Sequence, residues 1–346
     1  MKEQKMTPTI RDVAKLAGVS VGTVSNVLNG VSFVSSQKVE RVMTAIATLN
    51  YHRNQTASQL RTNISRSIGL VIPDITNPFY PAVARGVEDF ASREGFNVFL
   101  CNKDRTIDKE LAALDALMAK NVAGILLYKP RLTSVHIAKI SERCDLVLID
   151  SDTDDISCDI INVDDYAGMI SLVQHVAALG HRRIAFIAGL PDSFSSMRRY
   201  SAFNDAMLEM NFNIPPEYIR RGDFTVSSGM AQMKALMKLR ERPTAVLAAN
   251  DMMAIGALLW ARENDIDVPG ELSIVGYDDT QNASLILPRL TSISQPKYEL
   301  GEESARLLFK RISAKREGLW MEPQRIVMLT HLVQRDSLGP PSVPPS

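Results

Sequence analysis

The chain has 346 residues with 39 basic and 39 acidic side chains, so its formal charge is zero. Hydrophobic residues make up 45% and charged residues 23%, which excludes a disordered or collagen-like chain and leaves two or three globular folding units. No apolar run of about 18 residues exists, so no membrane span is expected. The polar start, residues 1–8, lacks the apolar core of a signal peptide. Three cysteines, Cys101, Cys144 and Cys158, suit reduced thiols in a cytoplasm better than a disulfide scaffold.

The zero charge hides an asymmetry. The first 66 residues carry nine basic side chains against three acidic ones, which suits a polyanionic partner. Thr9 and Asp12 form the pattern of a capping box before Ile10, Val13, Ala14 and Ala17 at helical spacing. Gly18 stops that helix. Ser20 can cap a second helix to about Asn29, with Val24, Val27 and Leu28 facing inward. Ser35 or Ser36 opens a third through Val39, Val42, Met43, Ile46 and Leu49. Three short helices with a glycine turn describe a helix-turn-helix, whose second helix enters the major groove. Val21, Gly22, Ser25 and Asn26 are then the candidates for base edges: Asn pairs with adenine, Ser bonds generally, Val meets a thymine methyl. Thr23 and the basic side chains would hold phosphates. A three-helix bundle that binds protein has the same spacing.

The run from Thr9 through Asn29, continued by Val34-Ser35 and Leu49-Asn50-Tyr51, resembles the start of a lactose/galactose repressor (LacI/GalR) family member. The resemblance implies a DNA-facing set of Thr9, Ser20, Val21, Gly22, Thr23, Ser25, Asn26, Asn29 and Tyr51. Several members carry Arg or Lys late in the recognition helix, where this chain has Asn26, and Gly22 offers no side chain. Operator preference therefore does not carry over from a better-known member.

Residues 54–60 follow. Asn54 can cap a helix, but two turns are marginal in water, where isolated helices need more than about 12 residues. Such a segment folds only when held. Leu60 is its one large apolar side chain, and two leucines from a dimer can wedge between minor-groove base steps. The resemblance implies this hinge role for Asn54, Ala57 and Leu60. An ordinary interdomain linker is the alternative.

From Ser67 onward strands and helices alternate. Apolar runs at 68–72, 98–101, 124–127 and 146–149 read as buried parallel strands, with helices at 81–94 and 109–120. A second series begins near Asn162. Its strands are Ile184–Ala188, Ala245–Ala248 and 273–275; its helices are 165–179, 196–210, 228–239 and Asp251–Glu263. The expected fold is an N-terminal all-α helix-turn-helix plus an α/β, periplasmic-binding-protein-like domain of two doubly wound lobes. A helix at 298–312 and a strand at 325–330 return across both lobes. The expected division is a helix-turn-helix domain at 1–52, a hinge and linker at 53–66, a two-lobed effector-binding and dimerisation domain at 67–338, and a disordered tail at 339–346.

Ligands bind such sheets beyond the carboxyl ends of the strands. The polar residues there are the segment 74–79, Asp150-Ser151-Asp152, Arg199, Asn250-Asp251 and Asp278. Carboxylates, an amide and an arginine beside Phe79 or Phe224 suit a hydroxyl-rich ligand such as a sugar. Each residue taken singly can equally be a helix cap. The resemblance, now spanning about residues 9–336, implies an effector set of Asn77, Phe79, Asp150, Arg199, Phe224, Asn250, Asp278 and Gln295. Arg198 adjoins Arg199, so the register can slip by one. Purine-binding members carry an arginine and a threonine in the 190–197 loop, where this chain has Asp192, Ser193, Phe194, Ser195 and Ser196. A sugar is therefore expected over a purine, with a nucleoside or sugar acid as alternatives.

No catalytic motif, cofactor loop or metal-ligand spacing is evident, so neither an enzyme nor a cofactor or metal is expected. The acidic run 150–155 departs from a calcium loop, with Asp155 for the turn glycine and Ile161 for the bidentate Glu. His181, at a helix end, is expected to meet carbonyls. A solute-binding protein would share the two lobes, but with a secretion signal and no helix-turn-helix. The resulting expectation is a cytoplasmic repressor of a sugar-utilisation operon. It binds palindromic operator DNA as a homodimer, with its effector between the lobes and no membrane partner. No leucine heptad closes the tail, so a tetramer is not expected.

Overall fold

The computed structural model describes residues 8–28, 33–51, 65–152 and 158–342. The chain forms two compact units, Met1–Ile64 and Ser65–Ser346. Asn29, Asn54, Ala57 and Leu60, and with them the expected hinge helix, lie outside the described residues.

The first unit has three helices, α1 (Ile10–Ala17), α2 (Val21–Leu28) and α3 (Ser36–Leu49). The capping box forms: Thr9 N–H donates to Asp12 Oδ2 at 2.8 Å, and Asp12 N–H to Thr9 Oγ1 at 3.4 Å. Gly18, at φ 61°, ends α1 in the left-handed region, and the Arg41 guanidinium donates to its carbonyl at 3.2 Å. Ser20 Oγ accepts from Thr23 N–H at 3.1 Å and so starts α2. Val13, Ala14, Ala17, Val24, Val42 and Ala45 form the core. Met43 was expected inside and is 55% exposed. Adjacent helical residues lie about 100° apart, and Val42 takes the inward place.

The second unit holds two six-stranded sheets. The first comprises β1 (Ser67–Ile72), β2 (Asn97–Asn102), β3 (Gly124–Tyr128), β4 (Asp145–Ile149), β5 (Asp159–Val163) and β11 (Arg325–Met328), in the order β11-β5-β4-β3-β1-β2. The second comprises β6 (Ile184–Ala188), β7 (Ile219–Arg221), β8 (Ala245–Ala248), β9 (Ser273–Asp278), β10 (Thr291–Ser294) and β12 (His331–Val333), in the order β12-β10-β9-β8-β6-β7. All pairings are parallel except β10 with β12. Successive strand residues serve opposite faces: Leu70 and Ile72 belong to one core, Val71 to the other. That two-faced burial makes continuous apolar runs such as 68–72.

Helices α4 (Phe79–Arg93), α5 (Ile107–Ala119) and α6 (Ser134–Ser141) belong to the first lobe; α7 (Asp165–Ala178), α8 (Phe194–Glu209), α9 (Val226–Leu236), α10 (Asp251–Glu263) and the short α11 (Gln281–Leu285) to the second. The long α12 (Lys297–Arg316) buries its apolar side chains in the first lobe, while Lys297 at its start donates to the Asp278 and Asp279 carbonyls of the second. In each lobe two helices cross at glycines. A Cβ on Gly86 would lie 2.0 Å from the Tyr298 carbonyl, and one on Gly229 would lie 2.1 Å from the Met253 carbonyl. The chain passes between lobes three times, at 163–165, 294–297 and 328–331. These crossings lie side by side: Asp164 N–H donates to Met328 O at 2.8 Å, and Ser294 pairs with His331.

Several expectations are corrected. The strand read at 98–101 as buried is an edge strand with Phe99 and Leu100 39% and 41% exposed, because an apolar run does not say whether both flanks are paired. Asn162 lies on β5 in the first sheet, so the second lobe starts at α7. Of the expected tail, residues 339–342 are described. Gly339 N–H donates to Ser273 Oγ at 3.1 Å, and its carbonyl lies 2.8 Å from the His181 ring. His181 thus meets the carbonyl of the C-terminal segment, not of its own helix.

Candidate functional site

In the first unit, α2 presents Val21, Gly22 and Asn26 to solvent, with Ser25 half-buried beside them. These are the side chains read as meeting base edges, and one exposed face carries them because they lie at helical spacing opposite Val24. The hydroxyls of Ser20 and Thr23 lie 2.9 Å apart at the start of α2. Arg11, Lys15, Lys38 and Arg41 are exposed. Tyr51 packs partly against the three-helix core, and Thr9 is engaged by Asp12.

In the second unit, all eight residues read as an effector set line one small cavity of about 20 Å³ between the lobes. Asn77, Phe79 and Asp150 come from the first lobe; Arg199, Phe224, Asn250, Asp278 and Gln295 come from the second and its crossing. Tyr80, Tyr128 and Lys129 complete the lining. Phe79, Tyr80 and Tyr128 meet edge to face with centroids 5.1–6.0 Å apart, which makes one aromatic wall.

Arg199 is the buried arginine of its pair, while Arg198 is exposed over the Tyr166 ring. Its guanidinium bonds Asp165 Oδ1 at 2.8 Å, lies 3.5 Å from Asp278 Oδ1 and stacks 3.7 Å from the Tyr277 ring centroid. Burial opposes its charge, but Asp165 and Asp278 outweigh that and raise its pKa further. Gln295 donates to Asp278 Oδ1 at 2.6 Å. Burial raises Asp278 to about 6 against the pull of Arg199, Lys129 and Lys297. Behind it, burial and the Asp278 charge push Asp251 to about 7, although Thr280 and Ser292 donate to it. Asn250 does cap a helix: its Oδ1 accepts from Met253 N–H at 3.0 Å, and its Nδ2 donates to Phe224 O at 3.2 Å.

Lys129 spans the cleft. Its ammonium meets Asp150 Oδ2 at 3.1 Å in its own lobe and Ser195 Oγ at 2.8 Å in the other. Lys129 and Asp165 were missed by the sequence reading. Lys129 directly follows β3, so the rule that found Asp150 after β4 would have found it. Asp165 opens a helix, and its burial was not legible. Lys129, Asp150, Phe224 and Asp278 all have positive φ, between 48° and 110°. For non-glycine residues this costs about 1–3 kcal/mol each and is concentrated at ligand sites.

Beyond this inner cavity, and sharing Tyr80, Lys129, Asp150 and Phe224 with it, lies an outer compartment of about 160 Å³. Its walls include Leu132, Leu190, Phe194 and Met197, and four cations of the first lobe: Lys103, Arg105, Lys129 and Arg131.

Residues 9–54 match the family model described as bacterial regulatory proteins, lacI family, and residues 173–338 match a periplasmic binding protein-like domain. The HTH-type transcriptional repressor PurR of Histophilus somni is 35% identical over 89% of this chain and 93% of its own. Catabolite control protein A of Priestia megaterium is 32% identical over 95% and 98%. Among solved structures, the lac repressor dimer bound to operator and the anti-inducer ONPF has a TM-score of 0.85 at 29% identity, covering 96% of this chain and 99% of that one. A CelR–cellobiose complex has a TM-score of 0.71 at 31% identity, covering 95% and 99%.

Proposed function

The chain belongs to the lacI family of bacterial regulatory proteins and is a DNA-binding transcriptional repressor; on that premise we propose that its effector is a sugar or sugar derivative held between the two lobes, and that it controls an operon for using that sugar. It acts as a homodimer on a palindromic operator in the cytoplasm. The carrying observation is the inner cavity. Carboxylate acceptors (Asp150, Asp278) and donors (Asn77, Arg199, Gln295) surround one aromatic wall. Adjacent hydroxyls need acceptors and donors together, and the face of a pyranose or furanose ring needs an apolar plane. The relatives point in two directions, a PurR repressor and a cellobiose-bound regulator among them, so the choice of effector rests on the cleft itself.

Under this reading Val21, Ser25 and Asn26 meet bases while the basic side chains of the first unit meet phosphates. Leu60 and Ala57 form the hinge. No residue carries chemistry on a substrate. The ligand works by preferring one state of the protein, and moving occupancy from 99:1 to 1:99 takes about 5.5 kcal/mol of preference. A mobility-shift assay on palindromic DNA with a panel of sugars tests it. At least one sugar should change operator occupancy, and Asp150→Asn should abolish that response while DNA binding stays intact. A panel with no effect, or a variant that responds like the parent, overturns the reading.

A further inference from the structure

Resting on that reading of the inner cavity, we infer that the outer compartment takes an acidic group of the effector, a carboxylate or phosphate carried on the hydroxyl-rich body. Four cations line this compartment, and one of them is already satisfied. Lys103 is 1% exposed and is held by Glu110, itself fully buried. Each of the other three pairs with a carboxylate, and those of Arg105 and Arg131 are loose or wet. Arg105 has the Asp74 carboxylate only at 3.7 Å, and its hydrogen bond at 3.1 Å goes to a carbonyl, that of Asp223. Arg131 reaches across the cleft to Asp192, whose side chain is 49% exposed, so water competes for it. Lys129 divides itself between Asp150 and the hydroxyl of Ser195.

The opposite wall adds positive potential. The sixteen-residue helix α8 begins there, and the side chain of its cap residue Ser193 accepts from no first-turn backbone amide. The Ser193 hydroxyl instead faces Lys129 at 3.4 Å and Ser195 at 3.3 Å. The first-turn amides of a helix have no acceptor within it and carry partial positive charge. Of the lining carboxylates, Asp150 is taken up by Lys129 and Asp192 holds Arg131 from an exposed position, so Arg105 and Arg131 are the cations left for a ligand. A neutral sugar would leave Arg105 and Arg131 with only a distant or a water-exposed carboxylate. An acidic one would give the two guanidinium groups a shared acceptor, with serine hydroxyls as further donors.

The test uses the full-length protein. Inorganic phosphate is compared with chloride at equal ionic strength by thermal shift. Matched ligands are then titrated calorimetrically: glucose, gluconate, glucuronate and glucose 6-phosphate, with the corresponding galactose and ribose sets. Phosphate should stabilise the parent beyond chloride and lose that effect in Arg105→Gln/Arg131→Gln. The acidic members should bind about tenfold or more tightly than their neutral parents, the scale of a charge-assisted hydrogen bond, and each single variant should narrow that gap. The carboxylate and phosphate arms decide which acid is preferred. Neutral sugars binding as tightly as their acids, or variants that leave the acids' affinity unchanged, overturn the inference and leave the sugar reading standing. If no member of the panel binds, the sugar reading falls, and the phosphate arm alone decides the anion site: no stabilisation beyond chloride overturns it.

Discussion

Arg199 and Asp165 form a buried pair, with two guanidinium nitrogens 2.8 Å from Asp165 Oδ1 and side chains only 5% and 6% exposed. Breaking such a pair from one side strands a charge in a dry interior. Arg199→Ala should therefore destabilise the folded chain by about 3–5 kcal/mol, and Asp165→Asn/Arg199→Met should recover a large part of it. Urea denaturation of both variants checks this. A single variant as stable as the parent would show that the pair is solvated. The same measurement separates loss of effector response from loss of fold at this position.

Asn250 does two structural jobs, capping α10 at Met253 and donating to the Phe224 carbonyl. Asn250→Ser keeps a cap acceptor and loses the amide donor, while Asn250→Ala loses both. The alanine variant should cost about 1 kcal/mol more than the serine through the cap. Equal melting temperatures for the two variants would show that the cap contributes nothing here.

Asn77, Phe79, Asp150, Arg199, Asn250 and Asp278 were legible because the strands of a doubly wound sheet end on one side, so residues far apart in sequence share one cavity; Gln295 was implied only by the family resemblance. The same rule explains what was missed. Lys129 follows β3 as Asp150 follows β4, yet a lysine after a strand reads as ordinary surface. Asp165 looked like a helix-opening carboxylate, which is normally exposed, and only the packing of α7 against α8 turns it toward Arg199. The edge position of β2 was not legible, because pairing order is a property of the whole sheet.

Asp251 has a folded-state pKa near 7 against an unfolded value near 3.8, chiefly through burial. A raised carboxylate pKa means that the folded state binds the proton more tightly. Its contribution to stability is then greatest below the unfolded value and is lost as pH rises from about 4 through about 7. Asp251→Asn should flatten stability across that window. Melting temperatures at pH 5 and pH 8 report it; a slope equal to that of the parent would mean that another group titrates.

Asn26 is exposed on α2, so Asn26→Ala should leave the melting temperature within about 1 °C. It should weaken specific operator binding by about 1–3 kcal/mol at fixed salt while leaving non-specific DNA binding unchanged. Equal losses on both DNAs would move Asn26 from reading bases to holding phosphate.

Gly86→Ala places a methyl where the Tyr298 carbonyl already sits, at 2.0 Å. The crossing of α4 and α12 must open, so a loss of about 1–3 kcal/mol is expected in chemical denaturation. A neutral result would show that the helices slide freely.

The three passages between lobes run side by side, tied by Asp164 to Met328 and by Ser294 to His331. Three short hydrogen-bonded passages hold the lobes together at one edge and let them hinge about it. A bound molecule that is reported through the resulting opening angle is reported as one value. Two unlike ligands that set the same angle would give the same signal.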